Sequence, residues 1–171
     1  MIKLIEIQNE DFDSIYAEME KNFIPDELRD YAEARRVLNE PAYHVFHVVK
    51  EGEKVGFITV WCLDGVTFAE HFVIYERFRN GGFGAFALAA LQQKFDRIVL
   101  EVEHPDTPMK ARRLAFYKRN GFFENDYPYF QPAYRANGSE VPLILMSYPA
   151  PLDSPAATAA HIRREVYKKA E

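Results

Sequence analysis

Three glycines within four positions, Gly81, Gly82 and Gly84, separate an alternating apolar stretch that ends near Tyr75 from a segment that is apolar on nearly every side. Residues 84–95 place Phe86, Leu88, Ala89 and Leu91 around a helix, and a helix without a polar face has to be wedged against a sheet. Residues 97–103 follow, with Ile98, Val99, Leu100 and Val102 forming a buried strand. Strand, glycine loop, buried helix and buried strand together make a βαβ unit, which joins parallel strands through a crossover helix.

The rest of the chain is read around that unit. Residues 2–7 alternate as a short strand, and Asn9 or Asp11 caps a helix with Phe12, Ile15, Tyr16, Met19 and Phe23 on one face. Pro25-Asp26 starts a second helix through Leu28, Tyr31, Ala32 and Leu38, ended near Pro41. Strands are expected at 43–49 and 54–62, joined by a hairpin turn at Glu51-Gly52-Glu53, and at 67–75 after Asp64-Gly65. Residues 109–120 form a helix closed by Gly121, and two last strands lie near 122–130 and 141–146. The expected fold class is therefore mixed α/β, an antiparallel N-terminal front on a βαβ core. The domain spans 1–148. Residues 149–171 are a linker and an appended helix, with Ser154 as N-cap and Pro155 at the first position. That helix has three options: packing on the domain, swapping onto a partner in a homodimer, or partial disorder.

Composition narrows the function classes. The chain has 171 residues, 48% hydrophobic and 27% charged, the balance of a globular domain. Aromatics reach 15%, so ring packing should dominate the interior. The single cysteine, Cys62, allows no internal disulfide and reads as a small core residue. A net charge of −5 disfavours nonspecific nucleic-acid binding. No segment approaches the about 20 apolar residues of a membrane helix, and Met1-Ile2-Lys3-Leu4-Ile5-Glu6 lacks a basic leader, so a cytoplasmic location is expected. No His/Cys/Asp spacing points to a metal, and His44 and His47 fall on opposite faces of one strand.

Arg79-Asn80-Gly81-Gly82-Phe83-Gly84-Ala85 opens a helix, where bare glycines let successive backbone N–H groups converge on an anion beside the positive end of the helix. A tight turn without a ligand explains the same glycines. So does a dinucleotide site, since Gly82-x-Gly84-x-x-Ala87 matches that fingerprint with Glu101 or Glu103 near the ribose-binding distance. Against it, six residues separate the strand from the loop, and nothing downstream repeats the βαβ unit.

Ile74, then Arg79-x-x-Gly82-x-Gly84 and an apolar helix, resembles the acetyl-CoA motif of the GNAT superfamily of N-acetyltransferases. Phe116-Tyr117-Lys118-Arg119-Asn120-Gly121-Phe122 resembles that family's (L/F)-Y-x-x-x-G-F. The resemblance covers about residues 1–148. It departs where many members carry Asn and Ala seven and four residues before the tyrosine; this chain has Lys110 and Arg113.

The resemblance implies an acetyl-CoA-dependent N-acetyltransferase that transfers acetyl directly to a primary amine, either a small molecule or a peptide N-terminus. Acetyl-CoA would be held by the amides of Arg79, Asn80, Gly81, Gly82, Phe83, Gly84 and Ala85 and by the strand backbone at Phe72, Val73 and Ile74. That strand would also polarise the thioester carbonyl. Tyr117 is the implied general acid. Glu70 is the candidate base, sharing strand parity with Phe72 and Ile74, with His71 opposite; burial would raise its pKa. The competing role for Glu70 is an ion pair with an arginine such as Arg112. Glu103 is the reserve base. Glu27, Tyr129, Gln131 and Tyr134 are candidate acceptor-lining residues. A module that binds acyl-CoA without turnover is the alternative from another class.

Overall fold

The structure, a computed structural model, describes residues 1–169. In chain order it contains β1 (Ile2–Glu6), α1 (Phe12–Asn22), a turn of 3-10 helix (Pro25–Glu27), α2 (Tyr31–Val37), β2 (Tyr43–Lys50), β3 (Glu53–Leu63) and β4 (Val66–Ile74). A further 3-10 turn (Glu76–Phe78) leads to α3 (Phe83–Lys94), β5 (Ile98–Glu103), α4 (Pro108–Arg119), β6 (Phe123–Glu124), β7 (Tyr129–Gln131), β8 (Val141–Tyr148) and α5 (Pro155–Glu165). The strands form one mixed sheet in the order β1-β2-β3-β4-β5-β8-β6, with β7 also on β8. Only β4 and β5 run parallel among the described pairs; β8 then lies antiparallel to β5. A doubly wound dinucleotide fold would continue with further parallel strands, so that alternative fails on topology.

The β2–β3 connection takes φ of +49° at Glu51 and +82° at Gly52, two consecutive left-handed residues that match the right-handed twist of the hairpin. The expected single helix from Pro25 to Leu38 is broken. Leu28 is extended, with φ −132°, and Asp30 starts α2 by accepting from the Glu33 amide at 2.9 Å. The break turns Leu28 and Arg29 inward, where both are buried. The strand expected at 122–130 is likewise split. Between its halves, the buried Asn125 donates to the Leu145 carbonyl and the Ser147 hydroxyl and accepts from the Leu152 amide. Cys62 corrects another expectation: it is exposed, because strand alternation sends its neighbour Trp61 into the core instead.

Each face of the sheet carries its own core. One packs α1, α2 and α5 with Phe57, Trp61, Phe68, Val73 and Val99; the other packs α3 and α4 with Ile58, Ala69, Leu100, Val102 and Met146. The expected C-terminal unit includes positions 170 and 171, which lie outside the described residues. Over the described part, Ile162, Val166 and Tyr167 are buried in the first core. Each burial is worth about 2 kcal/mol, enough to keep α5 docked. No described helix is long and apolar enough to cross a membrane.

Candidate active site

The β4–β5 ladder comprises Thr67 with Ile98, Phe68 with Val99 and Ala69 with Leu100, and then stops, although β4 runs on to Ile74 and β5 to Glu103. Beyond Ala69 the strands have separated. At the same point β4 bulges: Ala69 faces Val60 and His71 faces Thr59, leaving Glu70 without a cross-strand partner on β3. The Glu70 side chain is fully buried while the residue as a whole keeps some exposure, so its accessible atoms are main-chain atoms at the mouth of the gap.

The glycine loop lies where β4 leaves the sheet. Asn80 (φ +65°) and Gly82 (φ +80°) are left-handed, and Gly82 is the N-cap of α3 with no side chain capping the first-turn amides. A side chain at Gly84 would be crowded, since a Cβ there would come within 3.1 Å of the Phe116 ring, which would have to give by a few tenths of an ångström. The bare glycine lets α3 lie close against α4. Uncapped amides at the positive end of a twelve-residue helix suit a diphosphate. Arg79 is exposed beside the loop, and its guanidinium joins the Ile74 carbonyl at 2.9 Å to the Asn22 side-chain oxygen at 2.6 Å, tying β4 to α1. Phe83 packs edge-on against Phe78. Phe72 and Ile74 face the α3/α4 core, and Val73 faces the other.

Tyr117 sits on the α3/α4 side, its ring edge-on to Phe116 and Phe122. Burial pushes its hydroxyl up to about 12, so it stays protonated at neutral pH.

Glu70 departs from expectation in three respects. The bulge reverses the parity, so its side chain lies on the same face as His71 and opposite Phe72 and Ile74. Its arginine partner is Arg29 rather than Arg112: one guanidinium nitrogen reaches both carboxylate oxygens at 3.0 and 2.9 Å. The Trp61 indole donates at 3.0 Å and Tyr134 donates to the other oxygen. Burial alone would raise the Glu70 pKa, but the Arg29 charge and these hydrogen bonds bring it below the usual carboxylate value. His71 donates through Nε2–H to the Glu27 carbonyl at 3.0 Å, and burial lowers its pKa. Glu103 is held by Arg113 at 2.7 Å and Lys110 at 3.3 Å, the two positions that differ from the family pattern.

Glu101, weighed from sequence only as a ribose contact, lies one residue past the last β4–β5 pair. Its carboxylate accepts from the Tyr167 hydroxyl at 2.9 Å to each oxygen and from Tyr129. No described cation pairs with it, and burial, with help from the Glu70 and Glu27 charges, pushes its pKa up to about 8. A glutamate inside Ile98-Val99-Leu100-Glu101-Val102 was the available sequence signal, since a carboxylate in a buried strand needs a reason. Arg29 and Tyr167 offered none. Of the candidate lining residues, Glu27 is half-buried with its pKa raised by burial, Gln131 donates to the Asp26 carbonyl at 3.2 Å, and Tyr129 and Tyr134 hold the two carboxylates.

The sequence matches the acetyltransferase (GNAT) domain family over residues 41–124. A structure from Bacteroides thetaiotaomicron, assigned to the GNAT family of acetyltransferases, is similar at 30% identity and a TM-score of 0.88, covering 98% of this chain and 99% of that one. Two further structures share the fold. The ribosomal-protein-S18-alanine N-acetyltransferase from Escherichia coli has 17% identity and a TM-score of 0.60, with 91% and 98% of the two chains covered. An aminoglycoside 6'-N-acetyltransferase complexed with coenzyme A has 18% identity and a TM-score of 0.62, with 90% and 99% covered. No curated protein sequence matches. A sheet splayed between its two parallel strands beside an uncapped helix defines an acyltransferase architecture, and the chain belongs to the GNAT family of acetyltransferases.

Proposed function

We propose that this protein is an acetyl-CoA-dependent N-acetyltransferase acting by direct transfer on a primary amine. The observation that carries the reading is the end of the β4–β5 ladder at Ala69/Leu100, opening a gap next to the uncapped start of α3. Coenzyme A bound in the aminoglycoside acetyltransferase of similar fold supports the cosubstrate. Amides of residues 79–85 hold the diphosphate, and the unpaired edge of Phe72, Val73 and Ile74 receives the pantetheine arm. The bulged main chain at Glu70 offers a donor to the thioester carbonyl oxygen.

The gap joins two faces with different chemistry. On one, Tyr117 remains protonated and gives its proton to the departing sulfur; on the other, a carboxylate takes the proton lost by the amine. Glu101 suits that second role better than Glu70 or Glu103. A base works best with a pKa near the operating pH, and Glu101 at about 8 lacks the cation that holds each of the others. In balance, the amine nitrogen forms a bond to the acetyl carbon as the carbon–sulfur bond breaks. One proton passes to Glu101 and one from Tyr117 to sulfur, and Tyr117 is refilled from solvent.

The test is acetyl-CoA-dependent thermal stabilisation followed by thiol release across a panel of small amines and peptide N-termini. Stabilisation with amine-dependent release is expected; at a hundredfold excess over Kd the shift corresponds to about 2.7 kcal/mol. Stabilisation without release from any amine would favour an acyl-CoA sensor, and no stabilisation would remove the reading.

A further inference from the structure

Arg29 and Tyr167 connect the C-terminal segment to the site. Arg29 holds Glu70 with one arm and donates to the Val166 carbonyl at 3.2 Å with another, while its guanidinium lies between the Trp61 and Tyr134 rings at 5.5 and 4.8 Å. Lys168 lies over Trp61 and near Glu40. The residue fixed between these anchors is Tyr167, which is buried and reaches both oxygens of a carboxylate 66 positions earlier. A packing role alone needs only the ring.

We infer that Tyr167 is a positioning residue for acetyl transfer: its hydroxyl orients Glu101 and sets the proton affinity of that carboxylate, which makes the segment after α5 part of the catalytic apparatus. This rests on the reading of Glu101 as the base. The groups facing Glu101 are Tyr167, Tyr129 from β7, Glu70 from β4 and Glu27 from the 3-10 turn, with Tyr134 close to Tyr167 at 3.5 Å; its β8 partner Leu145 is apolar. Two hydroxyl donors therefore oppose two repelling carboxylates. Removing the Tyr167 donor leaves the charged form less stabilised.

The experiment follows kcat/KM against pH for the wild type, Tyr167→Phe and Glu101→Gln, with the Glu101 carboxyl titrated by carbon-13 NMR without acetyl-CoA. Tyr167→Phe should move the acid-side limb and the carboxyl titration upward together by about one unit, with activity at pH 7 falling about tenfold. Incorporating 3-fluorotyrosine at 167, a stronger donor of the same shape, should move both downward, and this arm stays informative if Tyr167→Phe folds poorly. Glu101→Gln should abolish the limb. If it does so while neither change at 167 moves the titration, Tyr167 has only a packing role and the inference fails. If Glu101→Gln keeps the limb, the assignment of the base fails, and the inference with it.

Discussion

Arg29 and Glu70, 41 positions apart in the chain, form a buried ion pair in which one guanidinium nitrogen sits 3.0 and 2.9 Å from the two carboxylate oxygens. The pair joins the break before α2 to the bulge in β4. Arg29→Met should destabilise the protein by about 3 to 5 kcal/mol in urea unfolding, because Glu70 would remain buried without its cation. The double replacement with Glu70→Gln should recover part of that loss. Equal instability of the single and double variants would mean that Arg29 matters for packing rather than charge.

Glu101 predicts an opposition between stability and activity. Its folded pKa, about 8, lies above the ordinary carboxyl value of 4.5. Between those pH values the folded protein keeps a proton that the unfolded chain has released, so this group makes stability fall as pH rises through the window and level off above it. Glu101→Gln should flatten that dependence and be more stable at pH 8 by on the order of 3 kcal/mol. It should also lose most of its turnover. Thermal unfolding from pH 4.5 to 9 measures the first; an unchanged profile would contradict the burial of an uncompensated carboxylate.

Tyr117→Phe keeps the ring packing against Phe116 and Phe122 and removes only the proton donor. Turnover should fall by about 100-fold or more with acetyl-CoA affinity unchanged. The comparison of kcat with the acetyl-CoA dissociation constant decides it, and an undiminished kcat would exclude Tyr117 as the acid.

Gly82 and Gly52 form a matched pair. Both are left-handed, at φ +80° and +82°, but Gly82 opens α3 whereas Gly52 closes the distant β2–β3 hairpin. Alanine at either should cost about 1 to 2 kcal/mol of stability. Only Gly82→Ala should also reduce the thermal shift produced by acetyl-CoA. Equal shifts in the two variants would show that the loop's backbone geometry is irrelevant to binding.

Much of the architecture was legible locally. The apolar periodicity of α3 and β5, the left-handed residues of the hairpin and the glycine loop are all short-range consequences of residue size and hydrophobic pattern, and they place the βαβ unit and its loop within a residue or two of where they lie. The break at Leu28 was not legible, because Pro25 and Asp30 each start a turn and only burial of Arg29 decides between one helix and two. The division of β6 from β7 depends on Asn125 finding partners on β8 and at Leu152, beyond any local pattern.

The family and the loop beside the gap could be read from residue order alone, since they follow from patterns within a few residues and from two motifs. Long-range packing set which carboxylate lies beside a cation: Glu70 faces Arg29, whereas no described cation pairs with Glu101. A single bulged residue reversed the side on which Glu70 lies, and the Arg29 charge on one carboxylate and the neutral Tyr167 hydroxyl on the other set Glu70 and Glu101 apart. The physical reason is that proton affinity depends on burial and on neighbours brought together across the chain, and strand parity carries no record of an inserted residue.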